Sequence, residues 1–245
     1  SDKRRHNRQR HQLIHMHMAV QEALKLRYEV FVRELGHETA EAAAAGVDRD
    51  EFDEQMTHLL LLDSATRRAV GTYRLQTSEQ ALDGQGFYSA QEYQFDGFIP
   101  YLDNAAELGR ACIAQDYRKA TSLLALWVGI RHFMILKGKR WVFGCCSINT
   151  VDPDDGWRAM RVLRALDSFH SEIFLSPTAD YSCGPPGRET AVDTSEGFLL
   201  PKLFSTYLRM GAKVISYPAL DREFGTVDFL VMADGRKVQM SRLTL

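Results

Sequence analysis

Apolar positions along the chain fall into two rhythms, and the switches between them mark out the elements. From Met16 to Leu35 the residues Val20, Leu24, Leu26, Tyr28, Val30, Phe31 and Leu35 keep a helical spacing, with Gly36 as the stop. His58 to Leu62 and Ala69 to Leu75 are short apolar runs separated by Asp63-Ser64-Ala65-Thr66-Arg67-Arg68, the pattern of a hairpin. Glu107 to Ile113 reads as a strand that runs into the basic turn Asp116-Tyr117-Arg118-Lys119-Ala120. A long apolar helix then begins near Thr121 or Ser122 and reaches Leu136. Lys139 to Ile148 is largely apolar, as a central strand covered on both faces requires. Asp154 to His170 carries Trp157, Met160, Leu163, Leu166 and Phe169 on one helical stripe, and Glu196 to Met210 reads as a further helix stopped by Gly211. Two last strands, Lys213 to Tyr217 and Thr226 to Met232, are joined through Pro218 to Gly225.

Between these elements the pattern loosens. Glu38 to Asp53 is rich in Ala, Gly and acids, and reads as a weak helix or mobile loop ending in Asp50-Glu51-Phe52-Asp53. Gln76 to Asn104 reads as irregular structure with a short helix near Gln91, and Leu175 to Ser195, with three prolines, as a long surface excursion that can act as a cover. The order of elements predicts an α/β domain with a mixed sheet and helices on both faces. At 245 residues one core suffices, so residues 13–245 are expected to form one domain behind a flexible basic arm, SDKRRHNRQRHQ, at residues 1–12.

Charge changes this picture only locally. A formal net charge of −2 excludes nucleic acid as a bulk partner, whereas the basic arm suits either a solvated terminus or contact with anionic lipid headgroups. Four cysteines, with Cys145 next to Cys146, have neither a metal-ligand spacing nor the density of a disulfide framework, so they read as small hydrophobes in a reducing compartment. No zinc or other metal site is expected. No apolar run spans a bilayer, and the longest apolar helix contains Arg131 and His132. A cytoplasmic location with at most peripheral membrane contact is expected.

The candidate chemistry starts at the basic turn. A strand leading through a basic turn to a helix N-terminus is an anion-binding device, because the first helical amides have no intrahelical partner and carry partial positive charge. Other ionisable residues sit inside apolar stretches. Arg74 interrupts the strand GTYRL, and burial there demands an anionic partner. Arg27 lies one turn before Phe31; by themselves the two read as a rim arginine with a buried stem and a core aromatic. Asp221, Arg222 and Glu223 crowd around Phe224, either fixing the end of the sheet or reaching a site.

Several segments together resemble the GNAT acyltransferase superfamily. They are Leu26-Arg27-Tyr28-Glu29-Val30-Phe31-Val32, Glu51-Phe52-Asp53, Gly71-Thr72-Tyr73-Arg74-Leu75, Glu107-Leu108-Gly109-Arg110, Gly144-Cys145-Cys146-Ser147 and Asp221 to Phe229. The set is most similar to the branch holding ornithine lipid synthases and long-chain N-acyl amino acid synthases, with acyl-homoserine lactone synthases more distant. The resemblance implies a mixed, mostly antiparallel central sheet with helices on both faces. It implies transfer of a long, 3-hydroxylated acyl chain from acyl carrier protein to the α-amine of an amino acid, ornithine first, with glycine or tyrosine as alternatives. Two other readings stand beside it: an acyl-CoA-dependent GNAT enzyme, and a non-catalytic module that binds acyl carriers.

By the same resemblance Glu107 is the catalytic base, and Asp53 holds the amine or orders its loop. Arg27, Phe31, Arg74, Arg110, Asp221, Arg222 and Glu223 bind the acceptor or pair with these acids, and Phe31 with Trp127, Phe133 and Trp141 either lines an acyl channel or packs as core. Ile113, Arg118, Lys119, Ala120, Thr121 and Ser122 receive the phosphopantetheine phosphate. Thr121 and Leu123 stand where the superfamily's loop has small residues. Coenzyme A needs close backbone approach along that loop for its pyrophosphate, so the departure favours acyl carrier protein, whose arm has one phosphodiester. Met56 stands where lactone synthases have a second acid, which argues against a lactone product. No permanently bound cofactor is expected.

Overall fold

The computed structural model describes residues 12–14, 19–37, 40–190 and 197–242. Nearly all of the basic arm falls outside them, as does the end of the 175–195 excursion. The strands are β1 (Gln12–Ile14), β2 (Thr57–Leu62), β3 (Ala69–Thr77), β4 (Ala105–Ile113), β5 (Trp141–Ile148), β6 (Lys213–Val214), β7 (Ala219–Asp221) and β8 (Thr226–Asp234). They join one sheet in the order β1-β2-β3-β4-β5-β8-β6, with β7 also on β8. β1–β2, β5–β8, β6–β8 and β7–β8 are antiparallel and β4–β5 is parallel, so the sheet is mixed and mostly antiparallel as expected. The helices are α1 (Ala19–Arg27), α2 (Ala40–Ala45), α3 (Ser78–Asp83), α4 (Ile99–Leu102), α5 (Ala120–Leu136), α6 (Pro153–Ala165) and α7 (Lys202–Arg209).

Contacts divide the chain into two compact units. The first holds Ser1–Arg49, His58–Arg74 and Arg110–Ile130. Here α1 continues as a π-helix, Tyr28–Glu34, and Gly36 ends it at φ +78°. A π segment within a helical run displaces side chains from the α repeat and is common at functional sites. The expected turn at 63–68 forms: the Asp63 carboxylate accepts the amides of Ala65 and Thr66 at 3.0 and 2.8 Å. Gly71 lets α5 lie close on β3, since a Cβ there would stand 3.1 Å from Leu126 Cδ1.

The second unit holds Asp50–Thr57, Leu75–Gly109 and Arg131–Leu245. β8 is buried along its whole length and pairs with β5 through eight registers, from Trp141↔Asp234 to Ile148↔Val227. Its residues alternate between two cores. Val227, Phe229 and Val231 join Trp157, Met160 and Leu163 of α6 and Phe204 of α7, while Leu230 and Met232 join Phe143, Tyr93 and Phe98 on the opposite face. Helical elements therefore cover both faces in this unit; Trp157, Met160 and Leu163 of the predicted stripe are core, whereas Leu166 lies past the end of α6 and is exposed.

Several boundaries differ from the sequence reading. The helix expected over 196–210 begins only at Lys202, because Pro201 stands at its N-cap. The stretch 175–190 is less a free excursion than a strap, bridging Leu175 to Ser216 and Ser182 to Ala219. The connector after Pro218 contains β7, which turns back into β8: Asp221 Oδ1 accepts the Phe224 amide at 2.8 Å, and Gly225 takes φ +76°.

Candidate functional site

In the second unit the parallel register of β4 with β5 has three positions, Ala105↔Trp141, Ala106↔Val142 and Glu107↔Phe143. Past Phe143, β5 keeps its pairing with β8 to Ile148 but has no register with β4. Only glycine fits where the two part: a Cβ on Gly144 would lie 2.1 Å from the Leu108 carbonyl oxygen. In the first unit Arg110, three residues after Glu107, takes φ +49°, a left-handed kink inside β4.

Glu107 is 2% exposed and projects on the Phe143 side of the sheet. Oε1 accepts the Ser89 amide at 2.7 Å and the Ser89 hydroxyl at 2.5 Å, and Oε2 accepts Gln76 Nε2 at 2.6 Å and the Tyr88 amide at 2.9 Å. Four donors fill its lone pairs. The turn Tyr88–Ala90, within a segment read from sequence as irregular, is thereby tied to β4. Ser89 and Gln76, both 0% exposed, escaped the sequence reading because neither interrupts an apolar pattern.

Asp53 is buried on the short helical turn Glu51–Glu54 and accepts the Asp50 amide at 2.9 Å, while Asp50 accepts the Phe52 amide at 3.0 Å. This reciprocal cap closes the turn. Phe52 fixes the turn from inside, edge-on to Tyr88 with ring centroids 5.4 Å apart.

In the first unit the arginines gather on an acid that the sequence reading passed over. Arg27 Nε donates to Asp48 Oδ2 at 2.6 Å, and Arg110 Nη1 lies 3.8 Å from Asp48 Oδ1. Arg27 is 0% exposed, a correction to the rim reading: only a paired guanidinium is tolerated at that depth. Phe31 and Arg74 are also buried, at 8% and 2%. Asp48 lay hidden in the run VDRDEFDE, which reads as a solvated acidic turn. A groove of about 650 Å³ in this unit is bordered by Lys25, Glu29 and Arg33 on one side and Ala114 to Tyr117 on the other.

The basic turn folds as expected, with α5 beginning at Ala120, one residue earlier than read. The Ser122 amide is already bound to the Lys119 carbonyl at 3.0 Å. Arg118 donates from Nε to the Ile113 carbonyl at 2.9 Å and from Nη2 to Glu34 Oε2 at 2.6 Å; its Nη1 also binds Glu34 Oε1. That guanidinium lowers the Glu34 carboxyl below its ordinary range. Lys119 and Thr121 are exposed, whereas Ser122 is buried.

The crowded charges at 221–223 separate. Arg222 and Glu223 are exposed on the turn, with Arg222 Nη1 on the Asp180 carbonyl at 3.0 Å, whereas Asp221 is buried. The turn geometry aims only Asp221 inward. It meets Glu92 and Asp228, with one oxygen from each of the three buried acids within 4.8 Å of the others. Cys145 Sγ lies 3.7 Å from both Glu92 oxygens. Burial first, then the charges of Asp228 and Asp221, push the Glu92 carboxyl well above its ordinary range, and burial raises the Cys145 thiol as well. Cys146 is buried against the apolar core of α6, and all four cysteines are free thiols. Asp228 had a legible signal, an acid inside the strand TVDFLV, while Glu92 in YSAQEY had none. Among the described residues no helix is long and apolar enough to cross a membrane.

Residues 26–128 match the family model described as an acetyltransferase (GNAT) domain. The chain is 32% identical to an L-ornithine N(alpha)-acyltransferase of Brucella abortus (strain 2308) over 227 residues, 87% of this chain and 80% of that protein. It is 31% identical to a protein of the same description from Agrobacterium fabrum (strain C58), over 86% of this chain and 75% of that one. Among solved structures, a ternary complex of TofI with an inhibitor and MTA is similar at 16% identity and a TM-score of 0.49, covering 95% of this chain and 96% of that one.

Proposed function

The chain belongs to the GNAT acyltransferase family, and from that membership we propose that it forms an amide between a long-chain acyl thioester and the α-amine of ornithine. The observation that carries the choice of acceptor is the 32% identity to an L-ornithine N(alpha)-acyltransferase along 87% of the chain. Acyl carrier protein is the proposed donor, because Thr121 and Leu123 leave less room for close backbone approach than a pyrophosphate needs. A 3-hydroxyacyl chain and a role in aminolipid synthesis complete the proposal. The enzyme would work in the cytoplasm, with residues 1–12 drawn to anionic headgroups.

The chemistry needs an extended thioester arm, a deprotonated amine and relief of charge on the carbonyl oxygen. The unpaired edge of β5 beyond Phe143 suits the arm, which can dock along it as an added strand does. Arg118 and the start of α5 suit the phosphate, which would take the guanidinium from Glu34. Arg27 and Arg110, gathered on Asp48, and Arg74 supply the charge that an acceptor carboxylate requires. The α-ammonium gives its proton to Glu107. With all lone pairs engaged, Glu107 accepts it by releasing one donor, and the Ser89 hydroxyl, a free rotor, turns most easily. As the nitrogen bonds the carbonyl carbon and the C–S bond breaks, its second proton leaves with the thiolate as the free thiol, and the first passes from Glu107 to solvent.

The test is incubation of the purified chain with ornithine and either 3-hydroxyacyl carrier protein, the matching acyl-CoA or acetyl-CoA, with product identified by mass. N-acylornithine from the carrier protein is expected. Acetylation of another amine in its place would sink the reading, and donor binding without turnover would favour a carrier-binding module.

A further inference from the structure

We propose that Glu92 and Asp221, with Asp228 beside them, seat the distal ammonium of a diamino acid and so decide which acceptor is acylated. The inference rests on the proposed acyl transfer for its substrate but on the second unit alone for its geometry. The three carboxylates lie on the β8 face that also carries Phe143 and Glu107, and all are at least nine-tenths buried. Carboxylates at that depth are stable only when a cation or enough donors face them.

Glu92 shows that the protein itself does not supply enough donors. Its side chain is 1% exposed, and its hydrogen-bond partner among the described residues is the Cys145 thiol, 3.7 Å from either oxygen. One weak S–H serves one oxygen, which leaves the other facing Asp221 and Asp228 with no donor. Asp221 repeats the pattern. Oδ1 takes the Phe224 amide at 2.8 Å, and Oδ2 has no donor among the described residues.

The spacing fits an ammonium. A point central to three atoms that are within 4.8 Å of one another lies no more than about 2.8 Å from each, the length of an N–H···O bond to a carboxylate. An ammonium has three N–H groups, one for each acid. Ornithine carries such a group at the end of its side chain; glycine and tyrosine do not. Burial first, then the charges of Asp228 and Asp221, raise the Glu92 carboxyl, and an ammonium between the three acids would oppose that repulsion.

The experiment compares ornithine with norvaline, which has the same carbon chain without the distal amine, in wild type, Glu92→Gln and Asp221→Asn. For wild type, ornithine is expected to exceed norvaline in kcat/KM by ~100-fold or more, because norvaline would leave the acids without their cation. The ratio should fall to within a few fold in either variant. Melting temperatures read binding without turnover: ornithine, not norvaline, should raise that of wild type alone. Equal use of the two amino acids by wild type, or variants that lose activity on both in proportion, overturns the cation seat and leaves acyl transfer standing. If neither is acylated yet ornithine still stabilises only wild type, the seat stands and the proposed reaction falls. Stabilisation by Mg²⁺ or Ca²⁺ and not by ornithine assigns the cluster to a metal ion and overturns the proposal. Should Glu92→Gln fold poorly, Asp221→Asn, whose side chain borders the turn, carries the same comparison.

Discussion

Two buried glutamates in the second unit face the same side of the sheet and are treated in opposite ways. Glu107 receives four hydrogen bonds, two from backbone amides of the Tyr88–Ala90 turn. Glu92, three residues beyond Ser89, receives a single thiol and faces two more carboxylates. A carboxylate surrounded by donors is fixed in place; one surrounded by acids gains only when a cation comes. On the proposed reading the labour divides, with proton handling at Glu107 and acceptor selection at Glu92.

The largest effect is expected at Glu107. Glu107→Gln should lower kcat by roughly 10²- to 10⁴-fold, the ordinary share of a general base, with little change in acceptor preference. Steady-state kinetics with both ornithine and norvaline check this, and an altered preference with unchanged kcat would reverse the two roles. Gly144→Ala should cost about 1–3 kcal/mol in urea unfolding, because the added methyl meets the rigid Leu108 carbonyl at the point where β4 and β5 part. Ser89→Ala removes one donor to Glu107 and should cost about 1 kcal/mol while slowing turnover more than it weakens donor binding.

The pH dependence sharpens the contrast further. Glu92 has a folded pKa raised above that of the unfolded chain, so its contribution to stability is full below the ordinary value of about 4.3 and is lost as pH rises towards the folded one. Without acceptor, the melting temperature should therefore decline with rising pH over this window. Glu92→Gln should flatten the decline, and an equally steep slope in the variant would remove Glu92 as its source. The smallest effect belongs to the exposed neighbour: Glu223→Gln should stay within about 0.5 kcal/mol of wild type and keep the ornithine preference.

Much of this was legible before folding. The strands around Arg74 and Glu107, the basic turn before α5 and the core stripe of α6 declare themselves through period and through charge inside apolar runs. Residues whose roles depend on distant partners were not. Asp48 reads as one acid among several until Arg27 and Arg110 are placed on it. Ser89 is an ordinary loop serine until its amide and hydroxyl close on a glutamate 18 positions away.

The sequence by itself determined the family, the alternation of β8 and the basic turn before α5, because these rest on local spacing and on the order of motifs. Only the tertiary structure decided how the acids divide. Asp221 and Glu223 are two residues apart and equally charged, yet a turn closed by Gly225 buries the first and exposes the second. Burial and neighbours, not residue type, set what a carboxylate can do, and both are properties of the fold.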